Sequence, residues 1–191
     1  MKKIVFILLL IPVAIFGQET AHLKVQDSAF YFVIQGSDTV LTIDTNGAIS
    51  ATPVQGQLYT DDGSVTVTTT VAGTYYTVTG LTDSNSYVFT MTDSSMTDLV
   101  DGWYDIDISA NGFTSDVNNT TAHLSLFIND VEITLCELER KISTSGDIGS
   151  ASATALYYLS SSDVVKAKAK SDKAGAILTI NHLNINIKKY N

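Results

Sequence analysis

The sequence predicts an all-β protein, a sandwich or jelly roll of many short strands preceded by a small β-hairpin module. Three observations carry this. Tyr104, Ile106 and Ile108 alternate with Asp105, Asp107 and Ser109, and Leu124, Leu126 and Ile128 repeat the pattern. A period of two places alternate residues on opposite faces of a sheet. Turn chemistry recurs between such runs, as in Asp61-Asp62-Gly63, Ala72-Gly73, Asp83-Ser84-Asn85, Ala110-Asn111-Gly112, Ser145-Gly146-Asp147 and Ser160 to Asp163. Only 16% of the 191 residues are charged while 45% are hydrophobic, which excludes a disordered chain.

Taken in order, residues 1–17 read as an export signal. Lys2 and Lys3 precede the apolar run Ile4 to Phe16, and Gly17 stands before Gln18 as a small residue at a cleavage point. The run is short for a membrane span, which needs about 20 residues. An uncleaved anchor is the alternative. Residues 18–56 form the small module, with strands Ala29 to Ile34 and Thr39 to Ile43 and a turn at Asn46-Gly47. Two or three strands of this size rarely stand alone, so they must pack on the next domain or on copies of themselves. Pro53 marks the boundary, and residues 57–191 form the head.

Head strands are expected at Val65 to Val71, Thr74 to Thr79, Tyr87 to Thr92, Trp103 to Ser109, Leu124 to Ile128, Val131 to Leu138, Ala153 to Leu159, Val164 to Lys170 and Ala176 to Lys188. Asn129-Asp130 reads as a two-residue hairpin turn. That turn predicts Ile128 opposite Val131, Leu126 opposite Ile133, Leu124 opposite Leu135 and His123 opposite Cys136, with the six aliphatic residues on one face. The apolar phase of the last strand changes between Ile180 and Leu183, which predicts a β-bulge at Asn181-His182. Lys166, Lys168 and Lys170 alternate with Ala167 and Ala169. They read as a stripe for an anionic partner or, the preferred reading, as an edge strand blunted against aggregation.

The net charge of −9 is unevenly spread. Residues 19–139 sum to −16, and residues 140–191 to +5. The acidic body argues against nucleic-acid binding. Cys136 is the sole cysteine, so no intramolecular disulfide exists, and it reads as a core filler. Asp98, Asp101, Asp105 and Asp107 lack the spacing of a calcium loop, so a solvated face is preferred for them. His22, His123 and His182 fall in no zinc pattern, and no nucleophile or phosphate motif occurs. The expectation is therefore no catalytic residue, no metal and no cofactor. Asn118 and Asn119 each begin a glycosylation sequon, relevant only in a eukaryotic secretory host. Tyr75-Tyr76, Trp103-Tyr104 and Tyr157-Tyr158 put one ring on each strand face, one more than a single core uses. All six rings are candidates for a subunit interface or a ligand-stacking platform, against the plainer reading of packing between sheets.

Gly102-Trp103-Tyr104, Phe127-Ile128-Asn129-Asp130 and Leu159-Ser160-Ser161-Ser162-Asp163-Val164-Val165 follow one another in that order. Together with the apolar C-terminal strand they resemble the jelly-roll heads of the tumour necrosis factor and complement globular-head superfamily, over residues 56–190. Ser162 stands where that family has glycine. The resemblance implies a ten-stranded jelly roll, a homotrimer, and a binding or structural role without catalysis, with a cell-surface glycan or protein receptor as partner. Such heads occur on exported bacterial proteins and on bacteriophage fibres. The implied location is therefore secreted or cell-surface, with a virion structural protein (fibre tip or head decoration) as the alternative. The stretch Leu41 to Gly47 is similar to the short hairpins on trimeric fibre shafts.

Overall fold

A computed structural model describes residues 21–26, 29–34, 39–43, 49–60, 63–87, 89–97 and 100–190. The export segment and the Asn46-Gly47 turn lie outside these residues. The described chain is all β, with no helix among its described residues. Strands β1 (Ala21–Gln26), β2 (Ala29–Ile34), β3 (Thr39–Ile43) and β4 (Ile49–Pro53) form an antiparallel four-stranded meander in sequence order. The sequence reading contained no counterpart of β1.

The next strands are β5 (Gln55–Tyr59), β6 (Val65–Thr69), β7 (Tyr76–Thr77), β8 (Thr82–Tyr87), β9 (Thr90–Met91) and β10 (Ser95–Thr97). The long ones follow: β11 (Gly102–Ser115), β12 (Thr120–Ile128), β13 (Val131–Ile142), β14 (Gly149–Leu159), β15 (Val164–Ser171) and β16 (Ala176–Lys189). One sheet runs β13-β12-β15-β10-β9, with β7 also on β15. The other runs β14-β11-β16-β5-β8, with β6 also on β16. The non-sequential order makes a jelly-roll sandwich. Gln55 and Gly56, read above as part of the module, pair with Lys188 and Ile187 inside the second sheet.

The core lies between the sheets. Tyr104, Ile106 and Ile108 face Leu124 and Leu126 across it, all fully buried. Each such side chain contributes about 1.5–3 kcal/mol through burial. Cys136 is in this core, and burial first, then the charge of Asp107, pushes its thiol up to about 11.

The hairpin register holds for two pairs and then departs. Ile128 faces Val131 and Leu126 faces Ile133, but Leu124 faces Leu138 and His123 faces Glu139. β13 uses the residues from Ile133 to Leu138 where β12 uses only Leu124 to Leu126. The extra residues make a bulge that turns Cys136 and Leu138 inward. The bulge throws Leu135 outward, 68% exposed, and Val131, in register beside the turn, is 69% exposed, so the expected six-residue apolar face is not formed. The pattern of alternation cannot reveal such an insertion, because inward residues resume after it.

The phase change at Asn181-His182 is present and is shared. Ile180 and Leu183 are both buried, and in β11 so are Ala110 and Phe113. Ala110-Asn111-Gly112, expected as a turn, instead lies within β11 opposite this point. Gly112 adopts φ +70°, which glycine reaches without a steric penalty. At the same level the partner of β16 switches from β5 to β6. Thr60 closes the gap, its amide donating to the Leu183 carbonyl and its hydroxyl to that of Asn181. Asp83-Ser84-Asn85 is likewise strand, within β8.

β15 is an interior strand, between β12 and β10. Lys166, Lys168 and Lys170 therefore do not protect an edge.

Gly112→Ala should destabilise the head by about 2–4 kcal/mol, from the left-handed backbone and overpacking. A Cβ there would meet the Asn181 side chain at 2.5–2.7 Å. In urea unfolding, adding Asn181→Gly should recover only the contact part of the loss. Full recovery would contradict a backbone cost at Gly112.

Candidate functional site

Two outer surfaces of the sandwich contain the candidate residues. The first is the solvent face of the β14-β11-β16-β5 sheet. Trp103, Asp105, Asp107, Ser109 and Asn111 of β11 pair with Tyr158, Leu156, Thr154, Ser152 and Ser150 of β14. On the other side Lys188, Asn186, Asn184 and His182 of β16 line up with β11 from Asp105 onward. One end of this face is apolar. Trp103, Tyr158 and Leu156 are 53%, 47% and 46% exposed, and the two rings meet edge to face at 5.8 Å. Tyr190 is exposed beside them, its amide bonded to the Trp103 carbonyl.

The remainder of the face is a polar band in which amides and hydroxyls surround Asp105, Asp107, Lys188 and His182. Gln57 donates to Asn184 at 2.7 Å, Thr154 to Asp107 at 2.6 Å and Ser150 to Asn111 at 2.9 Å. A shallow hollow of about 400 Å³ is lined by Ser109, Asn111, Ser150, Ser152, His182 and Asn184. Among the described residues no group of three or more His, Cys, Asp or Glu is placed to hold a metal ion. The chemistry this face offers is ring contact at one end and hydrogen bonding along the rest, from hydroxyls and amides and from the charged Asp105, Asp107 and Lys188.

The second surface is the outer face of β13-β12-β15. Its charges are mutually engaged. Lys168 and Lys166 reach Asp130 at 2.8 and 3.6 Å, and Lys170 reaches Glu137 at 3.4 Å. Lys168 also lies over the Phe127 ring at 4.6 Å, and Lys170 over Tyr75 at 4.2 Å. The lysine stems thus cover rings while their ammonium groups pair. His123, expected beside Cys136, instead places Nδ1 2.8 Å from Glu137. The Tyr75 hydroxyl lies 2.5 Å from Glu132 and 3.0 Å from Glu137. Burial, then these two carboxylates, raises the Tyr75 pKa above its ordinary value. Burial pushes Glu137 upward, but the hydrogen bonds from His123 and Tyr75 and the charge of Lys170 outweigh it and leave Glu137 below the ordinary range.

The six aromatic candidates are therefore dispersed. Trp103 and Tyr158 share the solvent face of one sheet, and Tyr157 is exposed on its edge strand β14. Tyr75 is half-buried on the other sheet, edge to face with Phe127 at 4.8 Å. Tyr76 packs against the core, its hydroxyl 2.6 Å from the Thr70 hydroxyl. Tyr104 is fully buried, its hydroxyl donating to the Val100 carbonyl at 2.8 Å, so it presents no surface to a partner. Leu156 escaped the sequence reading. Its signal was the outward series Ser150, Ser152, Thr154, Leu156, Tyr158, legible once Ala151, Ala153 and Ala155 are seen to face inward.

The pH dependence of stability should reflect the second surface. Glu137 has a depressed pKa, so its contribution is present above its unfolded value near 4.5 and is lost as pH falls through the folded one. Tyr75 has a raised pKa, so its contribution is present below its unfolded value near 10.0 and is lost as pH rises further. Glu137→Gln should flatten the acid limb of a urea-stability profile and Tyr75→Phe the alkaline limb. Unchanged limbs in both variants would refute the coupling.

No protein-family model and no curated protein matches the sequence. Solved structures do match. An Eiger TNF from S. frugiperda superposes with a TM-score of 0.54 at 14% identity, over 72% of this chain and 92% of that one. Murine APRIL at pH 5.0 matches over 67% of this chain and 99% of that one, at 16% identity and a TM-score of 0.44. At such identity the likeness concerns fold alone, and the fold of this chain is a tumour-necrosis-factor-like jelly roll.

Proposed function

We propose that the protein is an exported, non-enzymatic homotrimer, a binding or structural protein whose jelly-roll head engages a cell-surface glycan or protein receptor. The observation that carries this is the uncovered apolar strip of Trp103, Tyr158 and Leu156 on the face of one sheet, with Tyr157 on its free edge. These residues occupy two different surfaces, a face and an edge. An edge that packs on the face of the next copy makes a heterologous contact, which closes into a ring when the rotation between copies is a whole fraction of a turn. The family resemblance supports three as the number of copies. Exposed aromatic residues beside a polar surface match the composition of subunit interfaces.

With that face covered in the trimer, the partner surface falls to the loops. Loops 70–75, 116–119, 143–148 and 172–175 gather at one pole of the head, because β6, β11, β13 and β15 all end there. Val71 and Ile148 are exposed in them. The N-terminal module would act as a short stalk at the opposite pole, where Gln55 pairs with Lys188. The order of charge, apolar run and Gly17 supports export. No helix among the described residues is long and apolar enough to cross a membrane.

Trp103 is the only tryptophan, so its fluorescence reports on the strip. The secreted protein should sediment as a trimer at micromolar concentration with a blue-shifted emission. Trp103→Ala combined with Tyr158→Ala should weaken association at least tenfold, a loss of about 1.4 kcal/mol or more. A monomeric wild type with solvent-exposed indole emission would overturn the proposal.

A further inference from the structure

The N-terminal sheet is two-faced by register. Leu23, Phe32, Leu41 and Ala51 fall in one cross-strand row. Two residues along, and hence on the same face, Val25, Phe30, Ile43 and Ile49 form another. The other face is the more polar one: the row Lys24, Tyr31, Thr42 and Ser50 lies on it, and beside that the mixed row His22, Val33, Val40 and Thr52. A single sheet is one layer, and a stable fold needs a second layer over its apolar side. The two head sheets already bury their apolar faces against each other. Only Val54 separates β4 from β5, and it is buried with its carbonyl bonded to the Lys189 amide, so the module has no tether on which to travel along the head.

From these rows we infer that the apolar face of the β1–β4 sheet is covered by the same sheet of other copies of this chain, three sheets enclosing a common axis as a three-walled stalk. The inference rests on the export and trimer reading above, since removal of residues 1–17 takes away the other apolar segment. Size supports this dependence. Four strands of five or six residues span on the order of 350 Å², from the spacing and rise of strands. A stable interface buries about 800 Å² per partner. The module therefore associates only in continuity with the head, whose exposed aromatic strip supplies further area.

Cysteine cross-linking tests this on the full chain expressed in a secreting host, with the N-terminus of the product read by mass spectrometry. Cys136 is fully buried, so the wild type serves as a silent control. Leu41→Cys and, as a milder change in the same row, Ala51→Cys should oxidise to disulfide-linked dimers in most of the protein. Thr42→Cys, on the polar face, should stay at the wild-type background. Trimeric product in which neither Leu41→Cys nor Ala51→Cys cross-links would overturn the stalk and leave the trimer standing. So would a retained N-terminal segment with both thiols protected, because that segment would then be the covering layer. A monomeric product would overturn the trimer reading itself, and the stalk with it.

Discussion

The pairing of β11 with β16 is the constraint on which the head depends. It runs from Tyr104 opposite Lys189 to Ser115 opposite Leu178, through the middle of one sheet. β14 hangs on one side of it, and β5 and β6 share the other. Both strands change phase at the same level, where Gly112 approaches Asn181. The shared change keeps Ile106 and Ile108 in the core on one side of the kink and Phe113 and Ile180 on the other. A phase change in one strand alone would turn half of its apolar residues to solvent. The kink also divides the neighbours of β16 between two strands, with Thr60 satisfying the backbone at the break.

The opposite sheet uses charge in place of further apolar cover. Phe127 lies on its outer side and is nonetheless buried, under Tyr75 and the Lys168 stem. Pairing with Asp130 and Glu137 keeps the ammonium groups of Lys168 and Lys170 in place above the Phe127 and Tyr75 rings. A stripe that looks available to an anionic ligand is thus engaged within the protein. The contrast with the Trp103–Tyr158 face is physical: one set of rings is capped by cations of its own chain, the other is left bare. The bare rings end a polar band, whereas the capped, charge-balanced surface offers a partner little gain.

Alternation of Tyr104, Ile106 and Ile108, the Asn129-Asp130 turn and the phase change at Asn181-His182 were legible in the sequence, because each is a local property of the backbone. Asn129 and Asp130 both adopt positive φ, as a two-residue hairpin turn requires. The sequence by itself thereby determined an all-β sandwich and the two faces of the strand from Trp103 to Ser109. Tertiary structure decided the rest. The β13 bulge that expels Leu135 depends on what β12 offers opposite it, and no run of residues encodes its own partner. Whether β15 is an edge or an interior strand depends on β10 and β7, distant in sequence. Which of two adjacent rings, Trp103 or Tyr104, faces solvent follows only once the second sheet covers one side. Strand period is set within a few residues, whereas neighbours, edges and exposure are set by contacts between residues far apart in the chain.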